Sequence, residues 1–317
     1  MSDAYDLIAV GLTTLDISAY PVATFPEPDE SALLDSVTLL PAGTAGGVAL
    51  IAATLGLRTA IVSAVGSDTQ GDVVRTLLAS RGVDISMLTT DVDHPTSTTI
   101  LPVRPDGQRP NLHLMGASVF AGLASKSWSA ITTTRAVHWG GVGLPGTQAE
   151  GPSFLAAAQS AGAFVTCDLI APSPIAREDL RRLLPHVDLF MPSLSEVRYL
   201  AGTDALDAAA DHFMALGAGG CLFKLGAEGA YLVTAERRLH VASFDIAPID
   251  TTSCGDAFCA GFVAAKMYSL TIEDAMRYAA ATAALVAQGL VTVGKLEDHA
   301  TTLTYASTAP LRIGTRS

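Results

Sequence analysis

Charged residues are scarce in this sequence, and basic residues are scarcer than acidic ones. Only 16% of the 317 residues are charged, with 19 Lys and Arg against 31 Asp and Glu, which gives a formal net charge of -12. No run of Lys and Arg offsets this excess locally, so phosphate backbones and anionic lipid would be repelled. We therefore expect neither nucleic acid nor a membrane surface as a partner.

Paired cysteines and long hydrophobic runs are also missing. The four cysteines have neither Cys-x-x-Cys spacing nor a histidine at zinc-finger distance, which predicts reduced thiols. Apolar stretches such as 279–286 end well before the roughly 20 residues that a membrane helix needs. Residues 1–5 lack the basic start of an export signal and lead directly into an apolar run. We expect a soluble, cytoplasmic protein.

Hydrophobic residues, by contrast, make up 49% of the chain and require a large core. Short runs that are apolar on both faces recur, each followed by a segment with helical spacing. The predicted strands are 7–10, 59–65, 136–139, 164–168, 189–191, 221–224 and 230–233. The predicted helices are 45–55, 70–80, 153–161, 196–201, 205–216, 255–268 and 272–288. This alternation predicts a single α/β domain over residues 1–317, with a doubly wound, mostly parallel sheet and helices on both faces.

Two segments interrupt the alternation of strands and helices. Residues 18–40 are rich in Pro and acidic residues, and residues 96–118 mix Pro, Gly and polar residues with apolar ones. We predict that these segments form a small β lid over the sheet.

The most informative stretch, 250–262, passes from a polar turn of small residues directly into a helix. Small residues let the backbone approach a phosphate, and the N–H groups of a first helical turn are unpaired at its positive end. Asp256 would lie beside such a phosphate, where a carboxylate can take a proton from an attacking hydroxyl. Asp in a first turn is also a common capping residue, so this local sequence alone leaves both roles open.

The same stretch resembles the C-terminal signature of the ribokinase-like (PfkB) carbohydrate kinases, Asp-Thr-Thr-Gly-Ala-Gly-Asp before a helix of small residues. The resemblance implies ATP as phosphate donor, Mg²⁺ as its metal, and Asp256 as the catalytic base. It also implies that Ser253, Cys254 and Gly255 form a backbone anion hole for the transferred phosphate. Ser253 and Cys254 replace the usual Gly and Ala, but both are small, so we expect the hole to be kept.

Matches earlier in the chain extend the resemblance and imply where the acceptor binds. Asp16 stands where the family offers an Asp to sugar hydroxyls, although an Asp after a strand also caps turns. Residues 41–49 resemble the N-terminal signature, which implies that Gly43, Thr44 and Gly47 line the acceptor site. Gly47 replaces the family's usual Asn, so one customary acceptor contact is missing and the acceptor's identity stays open.

The segment that contains Arg109, His113 and the Gly-Ala-Ser at 116–118 resembles a lid element of several sugar-kinase subgroups. This resemblance implies that both side chains lie near the acceptor. A lone His in an alternating segment is more often a hydrogen-bonded bystander than a ligand. Family members also often pair lid on lid, which implies a homodimer.

The nucleotide and metal candidates come from three further matches. Residues 191–196 match the position of the family's Asn-x-x-Glu motif, and residues 223–230 resemble its strand-turn-strand along the nucleotide. The implied ATP-binding residues are Lys224, Gly226, Gly229 and Thr251. The implied metal-binding residues are Glu196 for Mg²⁺, and Asp250 and Thr252 for a monovalent cation such as K⁺.

The predicted reaction is phosphorylation of a hydroxyl group on a sugar or sugar acid, as in ribokinase, fructokinase or 2-keto-3-deoxygluconate kinase. A nucleoside kinase of the adenosine or inosine type is the first alternative. A non-catalytic sugar sensor is a second, although Gly255 and Asp256 are both kept. Residues 141–146 also fit the Gly-x-Gly-x-x-Gly pattern of NAD enzymes, but that function would leave residues 250–262 without a purpose.

Overall fold

Residues 4–312 are described by the structure, a computed structural model in which strands and helices alternate along most of the chain. The strands are β1 Leu7–Gly11, β2 Thr14–Tyr20, β3 Ser36–Ala42, β4 Thr59–Gly66, β5 Leu88–Asp91, β6 Thr98–Pro102, β7 Leu112–Leu114, β8 Ala136–Gly140, β9 Phe164–Cys167, β10 Leu189–Phe190, β11 Gly220–Lys224, β12 Ala230–Thr234 and β13 Arg238–Val241. The helices are α1 Gly46–Thr54, α2 Thr69–Ser80, α3 Ala117–Phe120, α4 Ser125–Ala130, α5 Pro145–Gln148, α6 Gly151–Ser160, α7 Pro174–Leu183, α8 Leu194–Ala201, α9 Leu206–Ala215, α10 Cys254–Met267, α11 Ile272–Ala287 and α12 His299–Thr308. Residues 1–3 and 313–317 lie outside the described residues. The predicted single domain over 1–317 includes both of these ends, and the N-terminal segment 1–5 includes the first.

The main sheet has nine strands in the order β13-β12-β11-β10-β9-β8-β1-β4-β5. The pairs from β11 to β5 are parallel, and β12, next to the edge strand β13, is antiparallel to both of its neighbours. Every residue of β1 and β4 is buried, because one hydrophobic cluster with α1, α10 and α11 covers one face and another with α6, α7 and α9 covers the other. The predicted doubly wound, mostly parallel sheet is confirmed.

Small residues let the catalytic-candidate helix α10 approach α11 closely. A Cβ atom at Gly261 would lie 2.5 Å from Thr282 Oγ1, so a side chain at this position would push the two helices apart. The N-terminus of α10 is thereby held at the edge of the sheet where the parallel strands end. In the described part of the chain, no helix combines the length and apolar character needed to cross a membrane.

The predicted lid is a separate sheet of four strands in the order β3-β2-β6-β7. It lies in the two predicted segments, but β2 begins at Thr14, before the predicted start at residue 18. The register aligns Asp16 with Thr99 and Thr99 with His113, so these three polar side chains share one face of the lid.

Candidate active site

An ion pair forms the floor of the site at the carboxyl ends of three neighbouring strands. Asp168 follows β9 and Lys224 ends β11, and the Lys224 Nζ donates to Asp168 Oδ2. The Sγ atom of Cys259 on α10 lies 3.4 Å from the same oxygen. Burial would lower the pKa of Lys224, but the Asp168 carboxylate raises it well above its usual value. Lys224 therefore keeps its positive charge at the base of the site.

Asp256 lies in the first turn of α10, beside this ion pair. Burial, followed by repulsion from Asp168, raises the pKa of Asp256 to about 7, while Lys224 and a hydrogen bond with Ser253 act in the opposite direction. Repulsion from Asp16 contributes as well, so the lid carboxylate and Asp256 face the same space. A carboxylate that titrates near neutral pH is suited to accept a proton from a hydroxyl.

The turn before α10 offers unpaired donors to an anion. Ser253 has a left-handed backbone with φ of 55°, and among the described residues the backbone N–H groups of Gly255 and Asp256 donate to no acceptor. A Cβ atom at Gly255 would lie 3.5 Å from Lys224 Nζ, so the ammonium group stands over the same turn. The predicted anion-hole residues Ser253, Cys254 and Gly255 thus lie together with Asp256 and a positive charge.

The lid contributes a row of polar groups on the acceptor side. Asp16 is buried and accepts a hydrogen bond of 2.7 Å from Thr14 Oγ1. Burial raises the pKa of Asp16, although hydrogen bonds from Thr14 and Thr99 lower it. Thr99 Oγ1 lies 3.0 Å from His113 Nδ1. Asp16 and His113 are therefore joined through Thr99, a residue that the sequence analysis did not identify.

The three predicted residues of the N-terminal signature have different surroundings. Gly43 has φ of 88° and a Cβ atom there would lie 2.7 Å from Leu12 O, so its backbone requires glycine. The hydroxyl of Thr44 donates to Gly140 O at 2.6 Å and is already engaged. A Cβ atom at Gly47 would lie 3.1 Å from Asp256 Oδ2. Of the three, Gly47 directly borders the candidate base and leaves space beside its carboxylate.

A cavity of 260 Å³ extends from the start of α10 between the loop after β13 and helix α11. All four predicted ATP-binding residues line it, namely Lys224, Gly226, Gly229 and Thr251. Its wall is mostly apolar and includes Phe244, Ile246, Ala280, Ala284 and Ala287. An apolar slot that ends at unpaired N–H groups and an ammonium group fits a nucleotide, whose base is flat and whose phosphates are anionic.

The Mg²⁺ candidate Glu196 has a structural role in this arrangement. Its Oε2 accepts a 2.6 Å hydrogen bond from Ser193 N, forming a capping box that starts α8. Burial and the nearby Asp168 raise the pKa of Glu196. Within residues 4–312 no three His, Cys, Asp or Glu side chains are grouped to hold a metal. Mg²⁺ in kinases takes one or two carboxylates together with substrate phosphates, and Glu196 fits the share of a single carboxylate.

Asp250, predicted with Thr252 as a monovalent-cation ligand, accepts four hydrogen bonds, at least one on each oxygen. Its buried carboxylate accepts from Thr252 N at 2.8 Å, Val291 N at 2.9 Å and Arg109 Nε at 3.1 Å. The Thr252 hydroxyl also donates to it. This geometry does not fit a cation on the carboxylate, because its oxygens already face donors. Arg109, predicted beside the acceptor, instead reaches the turn before α10.

Asp168 is the charged residue that sequence reasoning missed. The available signal was its position at the carboxyl end of the predicted parallel strand 164–168, where ligands of open α/β sheets bind. The Gly-rich stretch 141–146 has a packing explanation instead. A Cβ atom at Gly146 would lie 2.4 Å from the backbone of Phe120, and Gly143 N donates to Asp179 Oδ2 at 2.9 Å. These glycines contact their own chain and do not need a dinucleotide.

Comparison with known proteins identifies the family of this chain. The family model for pfkB family carbohydrate kinase matches residues 5–297. A nucleoside kinase from Methanothermobacter thermautotrophicus is 29% identical over 299 residues, covering 94% of this chain and 94% of its own. The structure of Arabidopsis thaliana ribokinase complexed with ribose and ATP has a TM-score of 0.81 at 22% identity, covering 96% of this chain and 99% of that chain. A candidate ribokinase II from E. coli, in complex with ATP and Mg²⁺, has a TM-score of 0.83 at 20% identity, with the same coverage. From the match to its family model, this chain belongs to the pfkB family of carbohydrate kinases.

Proposed function

We propose that this ATP-dependent kinase phosphorylates a hydroxyl group of a sugar or sugar acid, with Asp256 as the catalytic base. The observation that supports the proposal most strongly is the pKa of Asp256, raised to about 7, beside two unpaired N–H groups at the start of α10. The base and the anion site are thus adjacent, as transfer of a phosphoryl group to a hydroxyl requires.

In the proposed reaction, Asp256 takes the proton of the acceptor hydroxyl as its oxygen attacks the terminal phosphate of ATP. The N–H groups of Gly255 and Asp256, with the Lys224 ammonium, stabilise the negative charge of the group in transfer. When bound, Mg²⁺ would neutralise charge on the nucleotide phosphates, and Glu196 would hold it. The lid carries Asp16 and His113, which would orient the acceptor and exclude competing water.

A coupled ADP-release assay tests this proposal directly. Sugars, sugar acids, sugar phosphates and nucleosides are offered with ATP and Mg²⁺ to the wild type and to Asp256→Asn. We expect one acceptor class to give turnover that the variant loses by a factor of about 10²–10⁴, the usual contribution of a general base. Calorimetry should show that the variant still binds ATP. Near-normal turnover by Asp256→Asn would exclude it as the base, and ATP binding without any turnover would favour a sensor.

A nucleoside acceptor is the second candidate, and two observations favour it. The nucleoside kinase from Methanothermobacter thermautotrophicus aligns with 94% of this chain. Gly47 leaves space next to Asp256 Oδ2 at the place where the family usually has an Asn side chain. The nucleosides in the same assay panel decide between the two acceptor classes.

We also propose a homodimer that forms through the outer face of the lid. Apolar side chains on that face are 39–57% exposed, namely Val37, Leu39, Ile100, Leu112 and Leu114. The register places Leu39, Ile100 and Leu112 beside one another through Ile17. A continuous apolar face of this kind on a small sheet is typical of an interface between protein chains.

A cytoplasmic location is the remaining part of the proposal. All four cysteines are unpaired, and three of them are buried. Unpaired buried thiols suit a reducing compartment. ATP, the proposed phosphate donor, would be supplied there.

A further inference from the structure

An ion pair connects the lid to the turn that carries the proposed anion hole. Arg109 lies between β6 and β7 of the lid, and its Nε donates to Asp250 Oδ1 at 3.1 Å across 141 positions of sequence. The Arg109 side chain is 19% exposed and that of Asp250 is fully buried. Arg109 Nη1 also donates to Asn111 Oδ1 at 2.7 Å, which holds the guanidinium in this direction. The pair is therefore a defined contact between the lid and the turn before α10.

Asp250 in turn organises two loops beside the nucleotide cavity. Through Thr252 N it fixes the turn that leads into Ser253–Gly255, and through Val291 N it fixes the loop after α11. Val291 has φ of 54°, a conformation that is strained for a β-branched residue and needs support from its surroundings. The Asp250 carboxylate thus holds both loops in place, but only while its buried charge has a positive partner.

The resemblance to the family implies a monovalent cation at the Asp250 carboxylate. In the structure, a side chain supplies the positive charge there instead. Both Asp250 oxygens face hydrogen-bond donors, and the positive group among those donors is the Arg109 guanidinium. We propose that Arg109 takes the place of the monovalent cation, an inference that rests on the proposed function and extends it. The kinase is then independent of K⁺, and Arg109 is a positioning residue that acts through Asp250.

The position of Arg109 on the lid affects the reaction. Because Arg109 is carried by the lid, displacement of the lid would leave the Asp250 charge buried without a partner. The turn at 252–255 would then lose its support, and with it the alignment of the anion hole. Phosphoryl transfer is therefore coupled to a seated lid, which limits transfer to water when the acceptor is absent.

The test compares KCl with tetramethylammonium chloride at equal ionic strength, using the wild type, Arg109→Ala and the control Arg104→Ala. Arg104 lies on the same lid turn, is exposed and forms no ion pair with any residue in 4–312. We expect wild-type and Arg104→Ala turnover to agree within about twofold in the two salts. Arg109→Ala should lose about tenfold or more in kcat in tetramethylammonium and regain most of it in KCl, because K⁺ fills the vacated position.

Three results would overturn the inference. The first is a stimulation of the wild type by K⁺ of about fivefold or more. The second is an Arg109→Ala variant as active as the wild type in tetramethylammonium. The third is a loss in that variant that K⁺ does not relieve, including a higher acceptor KM at unchanged kcat, which would assign Arg109 to acceptor binding.

Thermal unfolding in the same two salts separates this inference from the proposed function. Arg109→Ala should melt at a lower temperature than the wild type, and KCl should raise its Tm more than tetramethylammonium does. If no acceptor gives turnover with the wild type, the proposed function fails, whereas the melting temperatures still decide the role of Arg109. An equal Tm of Arg109→Ala in both salts contradicts cation replacement.

Discussion

Asp256 owes its raised pKa first to burial and then to charges that lie on different elements. Burial and Asp168 raise the pKa, and Lys224 lowers it, so the Asp168–Lys224 ion pair affects the base in both directions. Within the pair, the closer contact of Lys224 with Asp168 leaves less of its charge available to Asp256. Burial and this ion pair together therefore keep the pKa of Asp256 near neutral pH, where a base can both accept and release a proton.

The pH dependence of kcat/KM should show this balance. Asp256 must be deprotonated to act as a base, so activity should fall as the pH drops below about 7. Asp168→Asn removes the repelling carboxylate and frees the Lys224 charge, and both changes lower the pKa of Asp256. The acid limb of kcat/KM should therefore move to lower pH by about one unit or more, measured with saturating ATP between about pH 5 and 9.

A matched control for this experiment is Asp179→Asn. Asp179 is also buried, but its carboxylate accepts from Gly143 N and is not among the groups that shift Asp256. The acid limb of kcat/KM in Asp179→Asn should lie at the same pH as in the wild type. An unchanged limb in Asp168→Asn, or a wild-type limb near the ordinary pKa of an Asp, would contradict the proposed control of the base.

At the scale of single residues, the sequence predicted the site residues that lie within one recognisable local motif. A polar turn of small residues that enters a helix indicated an anion site there, and the resemblance to the family signature implied Gly255 in the anion hole and Asp256 as the base. Thr99 and Asp168 were missed because their roles depend on what lies opposite them in register or across the sheet. Glu196 belongs to a Ser-x-x-Glu capping box, a signal that was present in the sequence and was not used.

At the scale of the element, helix α10 begins with a residue that is conformationally unfavourable. Ser253 has φ of 55° and ψ of 10°, where a non-glycine residue costs roughly 1–2 kcal/mol. The family signature usually has Gly at this position. The Ser253 side chain also forms a hydrogen bond with Asp256 that lowers its pKa. Ser253 therefore lowers the stability of the fold but adds a contact with the candidate base.

Ser253→Gly should stabilise the protein while keeping the anion hole. We expect a gain of about 0.5–1 kcal/mol in the free energy of unfolding, since relief of the left-handed strain exceeds the added freedom of the unfolded chain. Turnover at pH 8 should change by less than about threefold, because the hole is made of backbone N–H groups. Urea unfolding and the ADP-release assay measure the two effects.

Ser269→Gly is the matched control, since Ser269 has φ of 59° just after the other end of α10. It should give a similar gain in stability and leave turnover unchanged. A large loss of turnover in Ser253→Gly alone would show that the serine side chain, and not only the turn, takes part in the reaction. A loss of stability in both variants would contradict the strain argument.

The elements that the sequence predicted well are those with a clear hydrophobic pattern. The predicted helix 272–288 and strand 59–65 differ from α11 and β4 by one residue at an end. Helix α7 was missed because charged residues fill much of its length, and its burial depends on the sheet beneath it. Strand β13 was missed because it is a polar edge strand, defined by pairing with β12 and not by its own pattern.

At the scale of the whole molecule, the two faces of the lid have different chemistry. Asp16, Thr99 and His113 lie on the face toward the candidate base, and the apolar residues Ile100 and Leu112 lie on the other. Alternation of this kind predicts a sheet with one polar and one apolar face. The sequence could not show which face covers the site, because that depends on how the lid packs on the main sheet.

Solution oligomeric state tests the role of the apolar lid face. Ile100 is 47% exposed in one chain, and burying it with its neighbours against a second copy would remove apolar area from water. We expect a wild-type homodimer at micromolar concentration, and a monomer after Ile100→Asp, because a charge without a partner would be buried at the interface. Sedimentation velocity measures both.

Leu303→Asp provides the control, because Leu303 is 40% exposed on α12, outside the lid. It should remain a dimer, whereas Ile100→Asp should also raise the acceptor KM, since the lid that carries Asp16 and His113 loses its support. A monomeric wild type, or dissociation by Leu303→Asp and not by Ile100→Asp, would rule out this face as the interface. A monomeric Ile100→Asp with unchanged acceptor KM would confirm that this face is the interface, and would show that acceptor binding does not depend on it.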